Sequence, residues 1–145
     1  MEVRCQRGLT LREILVLLLV LSAIAAGLSP IIHGRLGDYR LASTHAQLNE
    51  IAAALERYKL DNHFYPATAQ GLEALIVLPA TEPVPRNWNK GGYLDSDVIS
   101  LDPWGNPYVY RDQDGGRYFE LLSLGSDGEL GGDDMASDIR SPAGG

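Results

Sequence analysis

The chain has 145 residues, a length that suits one domain better than two. Apolar residues make up 45% and charged residues 21%, a balance that excludes intrinsic disorder. Twelve Lys and Arg face 19 Asp and Glu, a formal charge of −7. Without a basic surface to meet phosphates, no nucleic-acid partner is expected.

Residues 1–8 are polar, with Arg4 and Arg7. From Ile14 to Leu28 there is no charge and one polar residue, Ser22. As a helix this run covers roughly 22 Å at ~1.5 Å per residue, short of the ~30 Å hydrocarbon core. Adding Leu9–Leu11 and Ile31–Ile32 brings it to spanning length, and Arg12, Glu13 and Pro30 then fall inside. The hydropathy pattern alone fits two segments. One is a Sec signal peptide cut at Ala23-Ile24-Ala25; the other is a retained anchor. Glu13 favours the anchor, because a carboxylate in lipid is costly and needs a partner. The helical pattern also continues past Ala25, so a cut there would split one element.

A second helical stretch is read over 36–60. Leu41, Leu48, Ile51, Leu55 and Tyr58 recur at helical spacing and form one apolar face. Pro30, Gly34 and Gly37 are expected to kink or loosen the helix before it. A short helix is expected over 68–76, with Thr68 as its N-cap and Leu72, Leu75 and Ile76 as its buried stripe. Pro79, Pro83 and Pro85 mark an extended linker. Asp102–Tyr108 reads as a turn carrying Trp104. A β-hairpin is expected over 107–123: Pro107–Arg111 and Tyr118–Ser123 alternate, joined by Asp112–Gly116. Tyr93, Tyr108, Tyr110 and Tyr118 are read as sheet residues, Trp88 as packing, and the three histidines as surface groups. The one cysteine, Cys5, makes no internal disulfide, and no Cys/His cluster has zinc spacing. No nucleophile, zinc-protease or phosphate-loop motif is present, so no enzymatic activity is expected.

The acidity is local. The window Arg111–Asp138 holds eight acidic residues against two arginines, nearly the whole imbalance. Within Leu124–Asp134, Asp127, Asp133 and Asp134 repel one another unless a cation holds them. Gly125, Gly128, Gly131 and Gly132 let the backbone turn tightly. Carboxylate and carbonyl oxygens without His or Cys suit Ca²⁺. From the residues alone, a solvated acidic turn fits as well.

Arg7-Gly8-Leu9-Thr10-Leu11-Arg12-Glu13 resembles the leader junction of type IV pilins and pseudopilins. Leu9 stands where phenylalanine is usual, and Arg12 where an apolar residue is usual. The resemblance implies cleavage after Gly8, an N-methylated Leu9 as the mature terminus, and Glu13 as the assembly glutamate. Further along, residues 58–66 (YKLDNHFYP), 68–75 (TAQGLEAL), 102–108 (DPWGNPY) and 121–134 (LLSLGSDGELGGDD) resemble the major pseudopilin family of type II secretion systems. A type IVa major pilin is disfavoured, since that group usually closes its C-terminal region with a disulfide.

This resemblance implies an α+β fold of the type IV pilin kind, a long N-terminal helix packed on a small antiparallel sheet. It implies a leader over 1–8, a transmembrane and assembly helix over 9–32, and a periplasmic domain over 33–145 with a calcium loop at 124–134. Asp127, Asp133 and Asp134 fall on the loop's side-chain ligands, and the carbonyls of Leu124, Ser126 and Gly131 on its backbone ligands. Glu129 is read as exposed. The implied role is a subunit of the periplasmic pseudopilus that drives folded proteins across the outer membrane. The implied partners are further copies, minor pseudopilins, the inner-membrane assembly platform and the prepilin peptidase. A minor pseudopilin, a type IV pilin subunit and a Sec-secreted calcium-binding domain are the alternatives.

Overall fold

A computed structural model describes residues 11–133 and 136–142, apart from the side chains of 24–35. The first element, α1, runs over Leu11–Asn62. It is continuous through Pro30, Gly34 and Gly37, as the helical pattern on both sides of them allows. A proline removes one backbone donor, and the good helix formers on either side carry the rest of the ladder.

The chain divides into two compact units, Met1–Asp38 and Tyr39–Gly145. In the first, Leu11 and the run Ile14–Leu21 are exposed, by 42% to 80%. Among the described residues no helix is long and apolar enough to cross a membrane. The leader, Gly8 and Leu9 lie outside the described residues, as do the side chains of the second half of the expected span.

The second unit holds the core. Leu48, Ile51, Leu55 and Tyr58 are buried, as their spacing predicts. Leu41 is not; it is 44% exposed. Along this stretch side-chain burial begins one turn later, at Thr44, whose hydroxyl donates to the Arg40 carbonyl. The helix ends where His63 takes a φ of 69° and its N–H closes on the Lys59 carbonyl at 2.7 Å.

The expected helix over 68–76 is a single 3₁₀ turn, η1, over Leu72–Leu75. Leu72 and Leu75 are buried, and Ile76 is half-buried. Gly71 occupies the cap, with no side-chain hydrogen bond. Thr68 is therefore not a helix cap. Its N–H and hydroxyl both donate to Asp112 Oδ1, and its oxygen accepts the Asp112 N–H at 2.9 Å. These bonds hold the Asp112 carboxyl below the usual carboxylate range.

The strands are β1 (Val109–Gln113), β2 (Tyr118–Ser123) and β3 (Ile139–Arg140), antiparallel in the order β1-β2-β3. The hairpin falls where alternation predicts it, with Asp114, Gly115 and Gly116 in left-handed conformations at the turn. Tyr110, Phe119 and Leu121 are buried in the core cluster that also holds Leu48, Leu55 and Tyr58. The Tyr110 hydroxyl donates to the Pro66 carbonyl at 2.6 Å, and burial pushes its pKa up. Two expected sheet tyrosines lie elsewhere: Tyr93 is a buried loop residue, and Tyr108 precedes β1. Trp88 is half-buried and donates to the Ala74 carbonyl. His45 and His63 are exposed.

Candidate functional site

The acidic loop leaves β2 at Leu124 and returns to the sheet as β3. Ser123 pairs with Ile139 and Leu122 with Arg140, so the two ends of the loop are adjacent strands. Between them Gly125, Gly128, Gly131 and Gly132 all have positive φ. At Gly132 a Cβ would collide with the Ala136 carbonyl, so only glycine fits there.

The predicted ligands occupy this loop. Leu124 is half-buried; Ser126, Asp127, Gly131 and Asp133 are exposed. Asp127 Oδ1 accepts the Glu129 N–H at 3.2 Å, and the Asp133 carbonyl accepts the Ala136 N–H at 3.0 Å. Glu129 is exposed. Asp134 lies outside the described residues. Among the described residues no three His, Cys, Asp or Glu side chains group closely enough to hold a metal.

One further carboxylate belongs to the loop. Asp138 Oδ2 accepts the Gly131 N–H at 3.1 Å, while Oδ1 is buried and has no hydrogen-bond partner among the described residues. A buried carboxylate oxygen without a donor or a cation is costly. Asp138 stands past the glycine run in the sequence, which is why spacing did not select it. The available signal is its position directly before Ile139, where the chain regains the sheet.

The base of the loop is tied to the turn at 102–106. Asp102 is 4% exposed, and its Oδ1 accepts the N–H groups of Trp104 and Asn106 at 3.0 and 2.8 Å. Its Oδ2 accepts the Ser123 hydroxyl at 2.6 Å. Asn106 Nδ2 donates to the Gly125 carbonyl at 2.8 Å.

Residues 32–142 match the family model described as Type II secretion system (T2SS), protein G. The chain is 45% identical over 139 residues to the type II secretion system core protein G of Pseudomonas aeruginosa PAO1, covering 96% of each chain. To the protein of the same name from Escherichia coli K12 it is 40% identical over 132 residues, covering 89% of this chain and 88% of that one. The chain belongs to the type II secretion system protein G family.

Its fold agrees with that membership. The crystal structure of the major pseudopilin from the type 2 secretion system of enterohaemorrhagic Escherichia coli superposes with a TM-score of 0.61 at 32% identity, covering 74% of this chain and 90% of that one. The chain is thus a pseudopilin subunit of a type II secretion system, from a family of structural proteins rather than enzymes. In this pseudopilin the family match spans the whole acidic loop and the 102–106 turn. Glu13 stands in the exposed first turn of α1, ahead of the matched stretch.

Proposed function

We propose that this pseudopilin is the major subunit of a periplasmic pseudopilus, polymerising with copies of itself to drive folded proteins across the outer membrane. The observation that supports this is the unburied aliphatic surface of α1, where Leu11, Val16 and Leu19 are 80%, 59% and 62% exposed. Water does not stabilise such a surface; lipid before assembly and neighbouring helices after it do. The anchor lies in the bacterial inner membrane, single-pass, with the second unit in the periplasm. A heterologous contact repeated from copy to copy does not close, and it yields a filament. Minor pseudopilins and the assembly platform start and feed that filament.

Processing prepares the subunit. The prepilin peptidase removes residues 1–8 after Gly8, and Leu9 becomes the N-methylated terminus. The new amine is positive in a poorly solvated setting, and Glu13 of a neighbouring subunit pairs with it. Pairing offsets a desolvation cost that an unmatched charge would pay in full. N-terminal sequencing of the protein purified from membranes tests the reading. A start at methylated Leu9 supports it; a start at Ile24 or later overturns it. Glu13→Ala should leave insertion intact and abolish assembly, read as loss of crosslinked multimers.

The acidic loop stiffens the second unit. Asp127, Asp133, Asp134 and Asp138 would hold a calcium ion through carboxylate oxygens, with carbonyls of Leu124, Ser126 and Gly131 completing an all-oxygen set. The unpartnered oxygen of Asp138 supports this fit. Bound calcium would supply the charge that lets these carboxylates converge. Asp127→Ala should remove the calcium-dependent rise in melting temperature; an unchanged rise would take Asp127 out of the site.

A further inference from the structure

A buried carboxylate with no ion pair stands beneath the acidic loop. Asp102 has no salt bridge among the described residues, and three donors from the 102–106 turn and from Ser123 satisfy it instead. The turn closes on itself through the main chain: Asp102 N–H donates to the Asn106 carbonyl, and Gly105 N–H to the Asp102 carbonyl, both at 2.9 Å.

Two side chains connect this closed turn to the loop, Asn106 from the turn itself and Ser123 from the end of β2. Ser123 Oγ accepts the Gly125 N–H at 3.3 Å, while its hydroxyl proton goes to Asp102. Asn106 Nδ2 donates to the Gly125 carbonyl. Both polar groups of Gly125 are therefore held. Gly128 packs against the same amide: a Cβ there would lie 3.0 Å from Asn106 Oδ1. Gly125 sits between Leu124 and Ser126 and two residues before Asp127, all candidate ligands.

We propose that Asp102, Ser123 and Asn106 are positioning residues for the metal loop, fixing the Gly125 backbone and the path to Gly128 before the ion arrives. The inference rests on the calcium reading above. Partners that orient ligands reduce the ordering cost of binding, and losing one typically weakens metal affinity roughly 10- to 100-fold. Asn106 makes the idea testable, because its two duties use different atoms. Its main chain closes the turn, and its side chain holds the loop. Asn106→Ala thus spares the turn.

The experiment is a calcium titration of the full chain in detergent by calorimetry, with melting temperatures in calcium and in chelator. Wild type, Asn106→Ala, Gly128→Ala and the double variant are compared. We expect Asn106→Ala to weaken calcium binding roughly 10- to 100-fold, with a small fall in melting temperature in chelator and a larger one in calcium. Gly128→Ala should weaken binding too. In the double variant the losses should be less than additive, because the new Cβ no longer meets the amide. Wild-type affinity in Asn106→Ala overturns the inference and leaves the calcium reading standing. Equal falls in melting temperature with and without calcium also overturn it, by making Asn106 merely structural. A wild-type chain that binds no calcium overturns the calcium reading and this inference with it.

Discussion

The two halves of α1 carry similar residues with opposite fates. Leu15 and Leu17 are each 56% exposed, whereas Leu48 and Leu55 are fully buried. Helix propensity does not distinguish these leucines. What differs is the partner. The chain supplies a sheet and η1 for the second stretch; under the function proposed above, lipid or other copies cover the first.

The sharpest way to break this comparison is to delete methylenes from each stretch. Leu55→Ala should destabilise the second unit by about 2–5 kcal/mol, read by urea unfolding of the full chain in detergent. Leu17→Ala should leave that transition unmoved; an equal loss would mean that the first stretch also packs into the core. Calcium comes next. At a concentration about 100-fold above its Kd it should add about 2.7 kcal/mol, and chelator should remove that increment. Faster protease cutting after Leu122 in chelator would mark the loop as the part released.

A smaller effect belongs to the Thr68–Asp112 clamp that joins the η1 region to β1. Thr68→Val should cost about 1 kcal/mol at neutral pH. The Asp112 pKa is lowered in the fold, chiefly by the Thr68 hydroxyl and N–H. Its contribution is therefore present above the ordinary value of 3.8 and is lost as pH falls through the depressed folded value. Thr68→Val should flatten that acid dependence in urea midpoints measured from pH 7 down to pH 3; an unaltered slope would discard the clamp. The smallest effect is expected at Arg117, which meets Asp114 at 3.5 Å in full view of solvent. Arg117→Ala should change stability by at most about 0.5 kcal/mol.

Much of the fold was legible because periodicity reports burial. Leu48, Ile51, Leu55 and Tyr58 announced the core face, and the alternation on both sides of Asp114-Gly115-Gly116 announced the hairpin. The misreadings share one cause. Thr68 has the chemistry of a cap, but a residue 44 positions away offered its hydroxyl a better acceptor. β3, two residues long, is too short for a period to appear. At the loop, Asp127 and Asp133 stood out by type and spacing. Asp138 did not, because its place beside Gly131 arises only when β3 closes on β2.

The amino-acid sequence by itself determined the long helix, the apolar stripe of its second half, the hairpin, the acidic glycine-rich loop and the family. These are properties of local pattern, set by residue type and spacing along a few turns or strands. Only the tertiary structure decided that Thr68 clamps Asp112, that Ser123 and Asn106 hold Gly125, and that Asp138 has a buried oxygen without a partner among the described residues. Those are pairings between residues distant in the chain, and a hydrogen bond depends on where its partner is held in space.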